Sequence, residues 1–164
     1  AAEKYAVRCV LFMRNALGSA AYTGHTSGRQ PSESALACAN ALRCFFGSEQ
    51  LPALCRSLVL HALPMSPAEV DDLRDDPEGF VWEELSAREG TSLRICAQRC
   101  ISTLAETAEA AEATQAQVFS LANAAATGGL TELSDVVGLD ACYAALTLVL
   151  HADPARLKQV VPTL

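Results

Sequence analysis

The sequence predicts an all-α chain built from helices packed as antiparallel pairs. Three observations carry this. Apolar residues recur three and four positions apart in almost every segment. β-branched residues are scattered and never alternate at period two. Gly, Pro and Ser/Thr interrupt the apolar pattern at intervals that suit helices of about 12–17 residues. Apolar residues make up 51% of the 164 and charged residues 19%, which is enough for a core and suits one compact domain or one piece of a larger array.

The first helix is predicted over about 3–16, with Tyr5, Cys9, Val10 and Met13 on one face. Residues 17–34, "LGSAAYTGHTSGRQPSES", read as the one long loop. Ser34 caps a second helix over about 35–46 that turns Ala35, Cys38, Leu42 and Phe45 inward, and Gly47 ends it. A third helix reaches about residue 62 on a stripe of Leu51, Leu54, Cys55, Leu58 and Val59. Ser66-Pro67-Ala68-Glu69 is a capping box with Pro at the first helical position, and it opens a short acidic helix ending near Asp75. Pro77 to Leu85 form another short helical turn. Thr91 or Ser92 caps a helix to about 107 with Leu93, Cys96, Ala97, Cys100, Ile101 and Leu104 inward. A helix over about 110–125 follows, broken by Gly128 and Gly129. Ser134 caps the most apolar helix, which runs to Leu150 and reads as covered on several sides. Asp153-Pro154 opens a last helix. No strict sequence period is visible, although degenerate helical repeats of about 40 residues fit this spacing.

Charge is concentrated in one place. Between Ser66 and Glu89 stand nine acids and two bases, which accounts for the whole formal net charge of −7. The remainder balances at ten acids against ten bases. Nucleic acid is therefore excluded as a partner, since phosphate binding needs a basic face. A basic protein surface suits the patch. Glu69, Asp71, Asp72, Asp75, Asp76, Glu78, Glu83 and Glu84, with Trp82 among them, are the candidate partner-binding residues. Residues 69 to 84 are expected to project from the helical array, with Phe80 or Trp82 packed back onto it. The competing reading is a solvated face with no partner.

Seven cysteines are present, none in a C-x-x-C pair, on what read as apolar helix stripes. They are expected to be reduced thiols serving as small core residues, with Cys96, Cys100 and Cys142 buried. No uncharged apolar run of 18 residues suggests a membrane span. The chain opens without an initiator Met and closes on "VVPTL", and it is expected to be a segment of a longer protein. His25, His61 and His151 stand apart, and no phosphate loop, G-x-S-x-G or H-E-x-x-H occurs. "DDLRDD" lacks calcium-loop spacing. No catalytic residue, metal site or cofactor is therefore expected, and the chain does not read as an enzyme.

Two stretches carry a resemblance. In residues 54–106 an apolar helix ends in Leu-Pro, an acidic helix follows, then Asp76-Pro77-Glu78-Gly79-Phe80, and then a helix with Arg94 in its first turn. The second stretch is "GLDACYAALTLVL", residues 138–150, with Asp140, Ala141, Tyr143, Ala145 and Leu148 in register. In order and spacing these resemble importin-β family nuclear transport receptors (karyopherins), whose pattern is an acidic "D-P-E-E-F/Y" insertion followed by a "D-A-x-Y-x-A" helix. The nearest branches are the importin-eleven-like and cellular-apoptosis-susceptibility ones. Gly79 stands in place of the second acid, and Thr147 where Gly is common. The resemblance implies an α-α superhelix of HEAT repeats over 1–164, with 66–90 as an acidic insertion. It also implies Ran GTPase, protein cargo with a basic surface and nucleoporins as partners, and a location in cytoplasm and nucleus. A helical-repeat scaffold or adaptor with no link to Ran is the alternative.

Overall fold

The structure, a computed structural model, describes residues 2–18, 32–45, 49–87 and 92–153. All regular structure among these residues is helical. In chain order the elements are α1 (Ala2–Gly18), α2 (Glu33–Phe45), α3 (Gln50–Ser57) continuing as a π-turn (Leu58–Ala62), α4 (Pro67–Asp75), α5 (Pro77–Ser86), α6 (Leu93–Glu106), α7 (Ala108–Thr127) and α8 (Leu133–Ala152).

The core is organised around α6. Its spacing of apolar residues buries Ile95, Cys96, Ala97, Cys100, Ile101, Leu104 and Ala105, which is more than one face of a helix. It can do so because α1, α7, α8 and the π-turn all lie against it. Full burial of a side chain such as Ile101 or Leu104 contributes about 1.5–3 kcal/mol, so α6 alone outweighs any surface ion pair. Gly18, at the end of α1, lies beside Thr103, with no room to spare beyond ordinary contact. That contact lies near the C-terminal end of α6, and Val7 and Val10, two to three turns earlier in α1, are buried in a helix whose main partner is α6, so α1 runs along α6 in the same direction. Thr107 alone joins α6 to α7, and residues 128–132 join α7 to α8. α7 packs against α3 as well as α6 and α8. Across the α3–α7 contact the buried Cys55 thiol lies 3.7 Å from the Thr114 hydroxyl.

The π-turn is an extra residue in the α3 helix. The Leu63 N–H bonds to the Leu58 carbonyl, five residues back, at 2.9 Å. The wider turn lets Leu58, Val59 and Leu63 all face inward, where each is almost wholly buried.

Several expectations are met and several corrected. Cys96, Cys100 and Cys142 are buried, as is Cys55, and every described cysteine is a free thiol. Burial pushes the Cys100 thiol up to about 12 and that of Cys55 above its ordinary value, so both stay protonated and behave as small apolar groups. The inward face of α1 is Val7, Val10 and Leu17; Tyr5 points out. Local spacing permits either face, and the packing partner α6 selects this one. The ends of the expected 17–34 loop belong to α1 and α2, and its middle, 19–31, lies outside the described residues, as do the expected last helix after Asp153 and the side chains of Ala35, Cys38, Leu42 and Phe45. The expected wrapping of α8 is not found. It buries one face, Val137, Ala141, Cys142, Ala145 and Val149, while Leu133, Val136 and Tyr143 are exposed. By length and composition α8 could cross a membrane, although Asp135 and Asp140 lie within it and it packs on α6 and α7.

The start of α8 is also set differently from the Ser134 expectation. Asp135 accepts from the Thr131 N–H at 2.9 Å, the Thr131 hydroxyl at 3.0 Å and the Glu132 N–H at 3.0 Å. Helix starts leave N–H groups without partners, and a carboxylate one turn in can reach back to the ones preceding it. These hydrogen bonds, the Thr131 backbone bond first, hold the Asp135 carboxyl below its ordinary value. A depressed carboxylate adds stability above its unfolded pKa, and that stability is lost as pH falls through the lower folded value. The expected result is an Asp135 titration, followed by carbon-detected NMR, that lies below the ordinary Asp value in wild type and moves up to it in Thr131→Val, which removes the hydroxyl bond, only in part.

Candidate functional site

The acidic stretch folds as two short helices in contact with each other. Ser66 caps α4: its hydroxyl accepts from the Glu69 N–H at 3.3 Å, and the Glu69 carboxylate accepts from the Ser66 N–H at 2.7 Å. This is the capping box expected from the sequence. The hairpin turns on Asp76 alone. A residue before proline is disfavoured in the helical region, and Asp76 sits at φ −143°, ψ 81°, which ends α4. Its carboxylate then accepts from the Gly79 N–H at 2.9 Å and caps α5, whose first residue is Pro77.

A Cβ at Gly79 would overlap the Asp76 carboxylate in its present rotamer, so a larger residue at 79 would require that side chain to shift.

α4 and α5 pack chiefly on each other, and neither buries a residue fully. The hairpin therefore stands off the helical core. Its joint to the core is the ion pair between Glu84 of α5 and Arg94 in the first turn of α6, at 2.9 Å. The two side chains are 28% and 12% exposed, so this pair is better shielded from water than any other in the hairpin. Arg74 pairs with Asp71 at 2.9 Å and approaches Asp75 at 3.6 Å, but all three are largely exposed. Exposed pairs contribute about 0–1 kcal/mol.

The nine sequence-predicted residues thus divide. Asp71, Asp72, Asp75, Asp76, Glu78 and Glu83 are exposed. Glu69 is half-buried in the capping box. Glu84 is half-buried and held by Arg94, so it is a tether rather than part of the free acidic face. Trp82 does not pack back onto the array: it is 72% exposed, and Phe80 is the half-buried aromatic. α5 has only ten residues, and one contact face cannot hold both rings, which lie about 200° apart on a helix.

Trp82 belongs to a feature that composition alone had hidden. Val81, Trp82 and Leu85 are all exposed and lie three and four apart on α5. They make an apolar patch among the acids. Two clefts flank α5. One, about 340 Å³, is lined by Glu69, Asp72, Phe80, Glu83, Glu84 and Ile95. The other, about 380 Å³, is lined by Val81, Leu85 and Leu148 with Arg94, Arg99 and Glu84. Glu84 borders both. Among the described residues no His, Cys, Asp and Glu are grouped to hold a metal ion. No protein-family model, curated protein or solved structure matches this chain, so the meaning of the hairpin rests on its own chemistry.

Replacing Asp76 by Ala is expected to remove the cap and fray α5, while leaving the core intact. Loss of a cap costs about 1 kcal/mol. Proton exchange at the Gly79-to-Val81 amides should quicken, and the midpoint of global unfolding should shift little.

Proposed function

We propose that this chain is a protein-binding helical-repeat segment whose acidic hairpin docks a basic protein surface, and that it works as part of a nucleocytoplasmic transport receptor of the importin-β kind, on Ran with GTP or on basic cargo. The single observation that carries the binding role is the stand-off of α4 and α5, with six carboxylates exposed on two helices that bury nothing fully. Like charges held this close repel, and a basic partner relieves that repulsion collectively.

The helix arrangement supports a repeat reading. α6 touches α1, α7 and α8, and α7 touches α3, α6 and α8, contacts compatible with two rows of stacked helices. α1 and α6 point the same way, as equivalent helices of stacked repeats must. The contact of the π-turn with α8 crosses between rows and is not part of that scheme. The insertion falls between α3 and α6, where the resembled receptors carry theirs. These receptors also bind nucleoporins, for which the exposed apolar positions Tyr5, Phe12 and Tyr143 are available surface.

Changing Asp71, Asp72, Asp75 and Asp76 together to Asn tests the reading. Asn still caps a helix, so folding by circular dichroism should be unchanged. Binding to Ran with GTP, or to a lysine-rich protein domain, should weaken about tenfold or more at low salt and become less salt-dependent. Equal binding to Ran with GTP and with GDP, alongside salt-sensitive binding to basic domains, would assign the hairpin to a scaffold instead. Binding constants that do not move at low salt would make the acidic run a solvated face.

A further inference from the structure

The two clefts beside α5 differ in sign. The Phe80 side gathers four carboxylates, Glu69, Asp72, Glu83 and Glu84. The other side presents two guanidinium groups, Arg94 and Arg99, against Glu84 alone, with an apolar wall from Val81, Leu85 and Leu148. In an acidic chain this is a local excess of positive charge, next to hydrocarbon.

Arg94 is incompletely paired. Its Nη2 donates to Glu84 at 2.9 Å. Its Nη1 is buried from solvent and has no hydrogen-bond partner. Guanidinium groups bind carboxylates best through two parallel N–H donors, and Glu84 uses only one arm here. A buried donor without an acceptor is unfavourable and calls for one. The side chain is 12% exposed and lines the cleft, and a carboxylate there reaches the enclosed Nη1 by displacing the side chains around it. Arg99, one turn and a residue further along α6, is exposed at the same cleft.

We infer that the arginine-lined cleft between α5, α6 and α8 binds an apolar carboxylate, with its charged end on Arg94 and Arg99 and its hydrocarbon against Val81, Leu85 and Leu148. The cleft, about 380 Å³, is at the small end of ligand sites, so it suits a medium-chain carboxylic acid or the last one or two residues of a protein chain with an apolar C-terminus. The same chemistry serves both. The acidic cleft opposite repels such a ligand, so the two faces of one short helix select for opposite charge. This inference stands on the Arg94 cleft and does not depend on the transport reading.

The test uses the whole 164-residue chain and octanoate as the probe, with octanamide as the uncharged control. The peptide Ala-Leu-Leu, with a free or an amidated C-terminus, is the second arm. Binding is read by calorimetry and by the fluorescence of Trp82, the only tryptophan, which neighbours the cleft residue Val81. Octanoate is expected to bind saturably and about tenfold or more tighter than octanamide, the step expected for one charge-assisted contact. Arg94→Gln should lower octanoate affinity by a similar factor. Should Arg94→Gln fail to fold, Arg99→Gln and the cleft-filling Ser102→Phe decide the matter, each checked for native helicity. Tighter binding of the free-terminus peptide than of octanoate identifies a protein C-terminus as the source, and the reverse identifies a free aliphatic acid. Equal affinity for octanoate and octanamide, no saturable binding of either probe, or octanoate binding that survives both Arg99→Gln and Ser102→Phe overturns the inference.

Discussion

The structure depends on α6 being enclosed. Its buried residues occupy so much of its circumference that it cannot be stable against one neighbour, and α1, α7, α8 and the π-turn of α3 each cover part of it. Every described core helix therefore touches α6 or touches a helix that does. Apolar burial at about 25 cal/mol per Å² dominates over the few buried polar contacts, of which the Cys55–Thr114 pair is one. Cys55, Cys100 and Cys142 fit this picture: raised by burial, they act as space-filling groups of Ala-to-Val size, whereas Cys9 is half-buried and Cys44 is exposed, against the expectation that all the thiols serve the core.

The hairpin is built on a different principle. It has no fully buried side chain, and what shapes it is local: a capping box at Ser66, the Asp76–Pro77 break, and the Asp76 cap on the Gly79 N–H. What attaches it is the Glu84–Arg94 pair at the start of α6. Arg94 thus lies at the boundary between a core held by burial and an appendage held by hydrogen bonds and charge. That division gives the acidic face independence from the core, so its carboxylates can change partners without repacking α6.

Local chemistry was the part of this molecule most legible from sequence. Ser66 and Glu69, and Ser92 before α6, were readable as caps because their partners lie within three residues. Where several polar residues competed for one helix start, the reading failed: Ser134 looked like the cap of α8, but Asp135 reaches back to Thr131 and Glu132. Choices made by distant partners were less legible. The inward face of α1 depends on α6, about 90 residues later, and periodicity could not tell Val7 from Tyr5. Trp82 looked like an anchor because large aromatics are costly to expose, yet it lies about 200° round α5 from Phe80, the ring that is half-buried. The carboxylates of the candidate site were visible as a charge run. The exposed Val81–Trp82–Leu85 patch left its mark only as a three- and four-residue spacing inside that run, and the cleft at Arg94 brings together residues from α5, α6 and α8 that no linear pattern joins.

The central claim is that a core centred on α6 carries a hairpin that opens independently of it. Amide hydrogen exchange on the native chain measures this directly, because a segment with few buried contacts exchanges by local opening and an enclosed one by global unfolding. The account predicts that Cys96 to Leu104 exchange among the slowest amides in the chain, at the rate of global unfolding. It predicts that Val70 to Asp75 and Phe80 to Leu85 exchange orders of magnitude faster, with protection that falls further as salt weakens the Glu84–Arg94 pair. Equal protection in α5 and α6 would contradict it, since the hairpin would then be part of the core.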